Sequence, residues 1–202
     1  MFRKVRSIVP VKGIYKAACE FSTSQGNLER SFFTISDLTN RNKEYVKKEL
    51  LGYSMAEMYE VVADVKNYYQ FVPYVKKSHV HSQRGENFRA DLIVGFPPLN
   101  EKYTSNVTLE EPKLVQAVCK DGRLFNYLLN EWRFSPGLKD IPQSCVLDFK
   151  VLFEFKSIIH SNIANLFFDL ICDQMESAFQ TEAQRRFGPP SIKSHILSSK
   201  RS

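Results

Sequence analysis

The sequence predicts an α+β fold: an antiparallel sheet of about seven strands wrapped around a long C-terminal helix. An apolar pattern of period two recurs between residues 42 and 156, which is typical of strands with one buried face. A helical pattern follows Ser157 and continues to about Gln184. An antiparallel sheet with one apolar face needs a cover, and only this final helix is long enough to supply it.

The first elements of the folded part are a strand and a helix. Residues 42–51 predict the strand, and Ser54 and Glu57 form a capping-box pattern at the start of a helix over 55–65. A short helical turn around residues 67–71 is predicted to end at Pro73, because proline interrupts a helix.

Six strands follow, and three of them show strict alternation. Residues 76–83, 113–120 and 123–134 complete the set. The inward positions of the alternating strands are Phe88, Ala90, Leu92 and Val94, then Tyr103, Ser105, Val107 and Leu109, then Leu147, Phe149, Val151, Phe153 and Phe155. Turn residues separate these strands, and Asp121-Gly122 is a favourable hairpin turn.

The last element is a helix of about 25 residues beginning near Ile159 and ending before Gly188. Its predicted apolar face includes Ile163, Phe167, Leu170, Ile171, Met175 and Phe179. We therefore divide the chain into a leader over 1–40, a folded domain over 41–187 and a basic flexible tail over 188–202.

The charge distribution argues against a nucleic-acid partner. The chain carries a formal charge of +6, with +4 in residues 1–41, +3 in residues 188–202 and −1 between them. A nucleic-acid binder has a basic stripe on its folded part, and this folded part is nearly neutral. Sixteen Phe and nine Tyr instead supply apolar area for a large core or a large cavity.

The N-terminus is basic, amphipathic and free of acids up to Cys19. This composition is typical of a mitochondrial transit peptide. The alternative is a disordered basic tail with no targeting role. The sequence leaves the cleavage site open.

Short motifs in a fixed order resemble one known family. They are Tyr53-Ser54-Met55-Ala56-Glu57-Met58-Tyr59, Val62-Ala63-Asp64-Val65, Phe71-Val72-Pro73-Tyr74, Gly95-Phe96, Trp132-Arg133-Phe134, Phe153-Glu154-Phe155-Lys156 and Ala178-Phe179. Together they resemble the coenzyme Q-binding proteins of the START-like polyketide-cyclase superfamily, from about residue 42 to 187. The resemblance implies the helix-grip architecture and a non-enzymatic protein that binds ubiquinone.

The same resemblance implies a setting. It places such a protein peripherally on the matrix side of the mitochondrial inner membrane. There it would act as a ubiquinone chaperone or presenter for respiratory electron transport and coenzyme Q biosynthesis, with respiratory or biosynthetic complexes as partners. No cofactor is implied, because ubiquinone would be the bound ligand.

A quinone with an isoprenoid tail requires a deep apolar pocket with few polar groups. We expect two apolar, proline-containing loops at its rim, since such loops have no reason to face water. The predicted cavity and rim residues are Phe71, Val72, Pro73, Tyr74, Phe96, Pro97, Leu99, Tyr103, Trp132, Phe134, Phe167, Ile171 and Met175. Lys76, Lys77, Phe96 and Leu99 are the predicted membrane contacts, the lysines through anionic headgroups.

The sequence shows few signs of catalysis. His79 and His81 fall on one strand face without an apparent third ligand, so no metal site is predicted. Inward-facing carboxylates are scarce, because Asp148 and Glu154 lie on the outward phase of their strand. We therefore expect no enzyme; a cyclase or hydrolase acting on a lipidic or aromatic substrate and a ribosome-associated interaction module are the alternatives.

Overall fold

The strands that the structure describes form one antiparallel sheet. The computed structural model describes residues 41–81, 85–96, 99–120, 122–157 and 168–202, and only the backbone at 96, 99 and 168–171. The strands are β1 (Asn42–Leu51), β2 (Val75–Val80), β3 (Asn87–Phe96), β4 (Leu99–Glu110), β5 (Leu114–Cys119), β6 (Phe125–Pro136), β7 (Cys145–Phe155) and β8 (His195–Arg201). The order of these strands in the sheet is β2-β3-β4-β5-β6-β7-β1-β8. The predicted fold class is thereby confirmed, with eight strands among the described residues where about seven were predicted.

Two helices connect β1 to β2. Helix α1 spans Met55–Ala63 and α2 spans Tyr68–Phe71, with a 3-10 turn at Val65–Asn67 between them. The capping box is present: Ser54 Oγ accepts from the Glu57 amide, and the Glu57 carboxylate accepts from the Ser54 amide. This local pairing satisfies amide groups that the first turn of a helix leaves without partners.

Helix α3 spans Phe168–Phe187 and packs against α1 and α2. It ends directly before Gly188, as predicted, and its predicted beginning near Ile159 falls outside the described residues. Phe179 and Ala183 are buried in the main core. Gly188 follows the helix with φ of 89°, a left-handed conformation that commonly ends a helix and that glycine adopts without strain.

Alternation decides which side chains of the sheet are buried. In β1 the residues at positions 45, 47, 49 and 51 are buried, and in β7 the odd-numbered residues from 145 to 151 are buried. The inward face of β3, β4 and β6 contributes Phe88, Ala90, Val107 and Trp132 to the core. The concave face of the sheet and α3 therefore share one apolar interior.

The sequence predicts a flexible tail over residues 188–202, but the structure has a strand in this segment. Residues 195–201 form β8, which pairs antiparallel with the outer edge of β1. Arg201 stacks on the Tyr45 ring, 4.7 Å from its centroid, and forms an ion pair with Asp173 of α3. All seven residues of β8 are exposed, so it lacks the alternation that identified the other strands. Backbone pairing with an otherwise open edge holds it in place.

Candidate functional site

An apolar cavity of about 190 Å³ lies between the concave face of the sheet, α2 and α3. The wall comes from six strands and both helices, so residues far apart in sequence meet around it. The lining residues are Val65, Tyr68, Val72, Pro73, Tyr74, Val75, Ala90, Leu92, Val94, Glu101, Tyr103, Ser105, Val107, Val115, Ala117, Leu124, Phe125, Leu128, Asn130, Trp132, Phe149, Val151, Phe153, Phe155, Cys172, Met175 and Phe179.

Aromatic rings make up much of the wall and brace one another. The Trp132 ring lies 4.4 Å from Phe149 and 4.7 Å from Phe179 of α3, centroid to centroid. Phe125 contacts Phe153 at 5.6 Å. Such contacts fix large flat surfaces in place, so the wall is suited to a planar, apolar ring.

The rim between α2 and β2 is held by Tyr74. Its φ of 65° is left-handed, which is uncommon for a residue other than glycine. The turn is fixed at two points, because the Tyr74 hydroxyl donates to Gln174 Oε1 of α3 at 2.7 Å and its carbonyl accepts from the Gly95 amide at 2.8 Å. The two segments predicted as apolar loops therefore meet here, at residues 71–74 and 94–96. The sequence predicts the second as a loop over 94–99, but residues 94–96 belong to strand β3 and Leu99 begins β4.

A small number of polar groups interrupt the apolar lining. Glu101, Tyr103 and Ser105 follow one another along β4, and Asn130 lies on β6. Glu101 is 5% exposed, and its Oε1 accepts from the amides of Arg123 and Leu124 at 2.8 and 3.3 Å. Glu101 Oε2 and Asn130 Oδ1 are buried without a hydrogen-bond partner in the described part of the chain.

The phenols in the wall are neutral donors. Burial raises the pKa of Tyr103 well above its ordinary value, with Cys119 and Glu101 adding to the effect. Burial likewise raises the pKa of Tyr68, whose hydroxyl donates to the Val62 carbonyl. These tyrosines keep their protons at any physiological pH.

The structure brings many of the predicted site residues together. Val72, Pro73, Tyr74, Tyr103, Trp132 and Met175 line the cavity. Phe71 does not: it packs on Phe179 and Tyr68 and faces a second, surface groove between α2 and α3. Phe134 is buried in the core without reaching the cavity. Pro97, Phe167 and the side chains of Phe96, Leu99 and Ile171 lie outside the described residues.

The predicted membrane lysines lie at the start of β2, and both are exposed. Lys76 runs across Gly95, where a Cβ atom would overlap Lys76 Cε. Its Nζ donates to Asn100 Oδ1 at 2.7 Å. Gly95 therefore allows this lysine to lie flat against the β3–β4 hairpin.

The sequence reasoning missed Glu101, Ser105 and Asn130 as parts of the site. Glu101 shares the inward phase of Tyr103, two residues away on the same strand, so alternation alone could have identified it. The view that inward carboxylates are scarce is accordingly corrected for β4 and β1, where Glu101 and Glu49 are both buried.

His79 and His81 lie together on β2, with ring centroids 5.0 Å apart, and His81 Nε2 is 3.0 Å from Asp91 Oδ1. Among the residues that the structure describes, no cluster of three or more potential metal ligands occurs.

No described helix combines the length and apolar character needed to cross a bilayer.

A sheet closed by a C-terminal helix around an apolar cavity defines the helix-grip class of lipid-binding folds. The family model described as "Polyketide cyclase / dehydrase and lipid transport" matches residues 51–180. The Zhui aromatase/cyclase of Streptomyces sp. R1128 superposes with a TM-score of 0.63 at 15% identity, covering 72% of this chain and 95% of that one. At that identity the likeness shows the fold alone.

Two curated relatives show which family within this fold class the chain belongs to. The mitochondrial coenzyme Q-binding protein COQ10 of Drosophila melanogaster is 69% identical over 173 residues, covering 86% of this chain and 72% of the relative. The mitochondrial COQ10 homolog B of Xenopus laevis is 48% identical over 151 residues, covering 75% of this chain and 62% of the relative. The chain belongs to the coenzyme Q-binding protein family of START-like proteins.

Proposed function

We propose that this protein binds ubiquinone in the cavity between the sheet and α3 without transforming it. The enclosed aromatic lining carries this proposal, because a substituted quinone ring is flat and largely apolar. Membership of a family whose named relatives bind coenzyme Q supports the same ligand.

The size of the cavity limits how much of the ligand it holds. Its volume of about 190 Å³ is below the ~300–1,000 Å³ of sites that enclose a drug-sized ligand. We infer that the ring and the nearest part of the tail enter, while the rest of the tail stays in a lipid phase.

This partition fits a chaperone or presenter, which holds the ring of a lipid that is otherwise confined to the bilayer. In that role the protein would deliver ubiquinone to respiratory complexes and support coenzyme Q biosynthesis. The basic, acid-poor leader and the mitochondrial relatives support a place in the mitochondrion. We propose a peripheral position on the matrix side of the inner membrane, with residues 71–74 and 94–99 facing the lipid.

Glu101 favours a second candidate function. A START-like cyclase or hydrolase needs an acid or base within the cavity, and Glu101 is a buried carboxylate in the wall. The same acid can serve in ligand recognition, so the fate of the bound molecule separates the two functions: a binding protein returns it unchanged.

The decisive experiment is organic extraction of the full chain purified from a ubiquinone-producing host, followed by mass spectrometry. We expect intact ubiquinone in near-stoichiometric amount. A lipid product altered in its ring would support the enzyme, and cofractionation with ribosomes without any quinone would support the interaction module. Either of the last two results contradicts the proposal.

Filling the cavity gives a matched test. Ala117 lines it, and Val118 follows on the other face of β5. Ala117→Phe should carry at least about tenfold less quinone, since packing extra atoms against a bound ring costs ~1–3 kcal/mol. Val118→Phe, the control, should retain the quinone. Equal quinone content in both variants, with both folded by circular dichroism, would place the ligand elsewhere.

A further inference from the structure

A polar row crosses the otherwise apolar cavity along β4. Glu101, Tyr103 and Ser105 all line the cavity, and alternate residues of a strand lie about 6.6 Å apart along one face. The row begins two residues from the β3–β4 hairpin, at the end of the sheet where the predicted rim lies. A ring that enters past this rim therefore meets Glu101 and Tyr103.

Only one of the two carboxylate oxygens of Glu101 accepts hydrogen bonds from the described residues. The amides of Arg123 and Leu124 both donate to Oε1, so this oxygen has its hydrogen-bond donors. Oε2 is buried with no partner among the described residues. An unsatisfied buried acceptor of this kind is unfavourable in the empty protein, and a ligand that supplies a donor removes that cost.

A second residue of the cavity wall also has a buried acceptor with no partner among the described residues. Asn130 Oδ1 lies on β6, which is separated from β4 by β5. Tyr103 lies two residues from Glu101 on the same face of β4 and supplies a neutral phenol as a donor.

The two redox forms of a benzoquinone lipid differ in hydrogen bonding. The oxidised ring carries two carbonyl oxygens and only accepts, whereas the reduced ring carries two hydroxyl groups and can donate. A carbonyl placed against Glu101 Oε2 leaves two acceptors facing each other. A hydroxyl at the same position forms a charge-assisted hydrogen bond, among the stronger kinds in proteins.

Resting on the function proposed above, we propose that the cavity selects the reduced, quinol form of its lipid over the quinone through Glu101. The carboxylate acts as the acceptor for one ring hydroxyl. The oxidised ring lacks that donor, so the cavity binds both forms but holds the quinone more weakly than the quinol.

The test compares decyl-ubiquinol with decyl-ubiquinone, titrated anaerobically into the full chain and followed by Trp132 fluorescence. The wild type should bind the quinol about tenfold more tightly or better, as expected for one hydrogen bond to a charged group. Equal affinities for the two forms would overturn the inference without any variant.

A substitution at Glu101 can replace the acceptor Oε2 with a hydrogen-bond donor. Glu101→Gln keeps an oxygen for the Arg123 and Leu124 amides and turns the other end of the side chain into a donor. The preference should fall to parity or invert toward the quinone. The control is Glu110→Gln, the same change at an exposed position of the same strand, which should leave the wild-type preference unchanged.

The outcomes separate this inference from the proposed function. Binding of neither form by the folded wild type contradicts the proposed function itself. Tight binding of both forms, unaltered by Glu101→Gln, retains the function and removes the role of Glu101. A melting curve for each variant shows whether a loss of binding reflects unfolding.

Discussion

Lys47 is a charged residue on the buried face of β1, where its ammonium joins two carboxylates. Nζ lies 2.8 Å from Glu49 Oε2 and 2.7 Å from Glu176 Oε2 of α3, and all three side chains are less than a tenth exposed. Burial alone would lower the pKa of Lys47, but hydrogen bonds to Glu176 and Glu49 outweigh it and raise the pKa. Two carboxylates share this one cation. Burial therefore raises the pKa of Glu176, and the charge of Glu49 adds to this rise, although the hydrogen bond from Lys47 opposes it.

Replacing the cation should be costly. Lys47→Met leaves two buried carboxylates without a positive partner, and breaking a buried pair in this way costs ~3–5 kcal/mol. We expect the free energy of unfolding in urea to fall by that amount. Lys48→Met is the control: Lys48 pairs with Asp148 at 3.2 Å, both side chains are over 40% exposed, and such pairs contribute less than ~1 kcal/mol. Similar losses in the two variants would contradict the central role of Lys47.

At the scale of elements, α3 is fastened to α1 near its C-terminus. Glu182 accepts from Arg185 and Arg186 at 2.7 and 2.8 Å, and Arg186 also reaches Asp64 at the end of α1 at 2.6 Å. The hydrogen bond from Arg185 lowers the pKa of Glu182 to about 2, against burial and with help from Arg186. This junction holds the helix that covers the cavity.

The lowered pKa predicts a dependence of stability on pH. A carboxyl with a depressed folded-state pKa stabilises the fold above its unfolded value, here 4.5, and loses that contribution as the pH falls toward about 2. The melting temperature of Glu182→Gln should therefore lie below that of the wild type at neutral pH. The gap should narrow below about pH 4.5 and close as the pH approaches about 2.

Glu60→Gln provides the control, because Glu60 is exposed and lies 3.9 Å from the same Arg186. Its melting temperature should follow the wild type at every pH. A gap for Glu182→Gln that stays constant between neutral and acidic pH would show that packing, and not charge, fastens the helix.

At the scale of the whole molecule, the two ends of the sheet differ. The β3–β4 hairpin, the start of β2 and the rim at Tyr74 meet at one end, together with the exposed Lys76 and Lys77. The loop between β6 and β7, with its exposed Leu138, lies at the other end. The membrane-facing side proposed above is the first of these two ends.

The β3–β4 hairpin supplies the test of this placement. Phe96→Asp or Leu99→Asp should reduce flotation of the full chain with vesicles of phosphatidylcholine and phosphatidylglycerol by about tenfold. Withdrawing one large apolar side chain from a lipid phase costs ~1.5–3 kcal/mol. Leu138→Asp should float as the wild type does. Loss of thermal stability with unchanged flotation would assign Phe96 and Leu99 to the core.

The local pattern was sufficient for most of the fold. The capping box at Ser54 and the alternation in β3, β4 and β7 depend on neighbours within a few residues, and both are present as predicted. Strand β8 escaped prediction because its side chains are all exposed. Its pairing with β1 is a property of two backbones that are about 150 residues apart.

For the site, sequence alone determined that an apolar cup of sheet and helix would form, because alternation and helical periodicity fix which side chains face inward. Tyr103, Trp132 and Met175 follow from that rule. Only the tertiary structure decided which inward charges find partners. Lys47 meets Glu176 across 129 residues of chain, whereas Glu101 Oε2 finds none among the described residues. Hydrogen bonds require approach within about 3 Å, and only the packing of distant segments sets such distances.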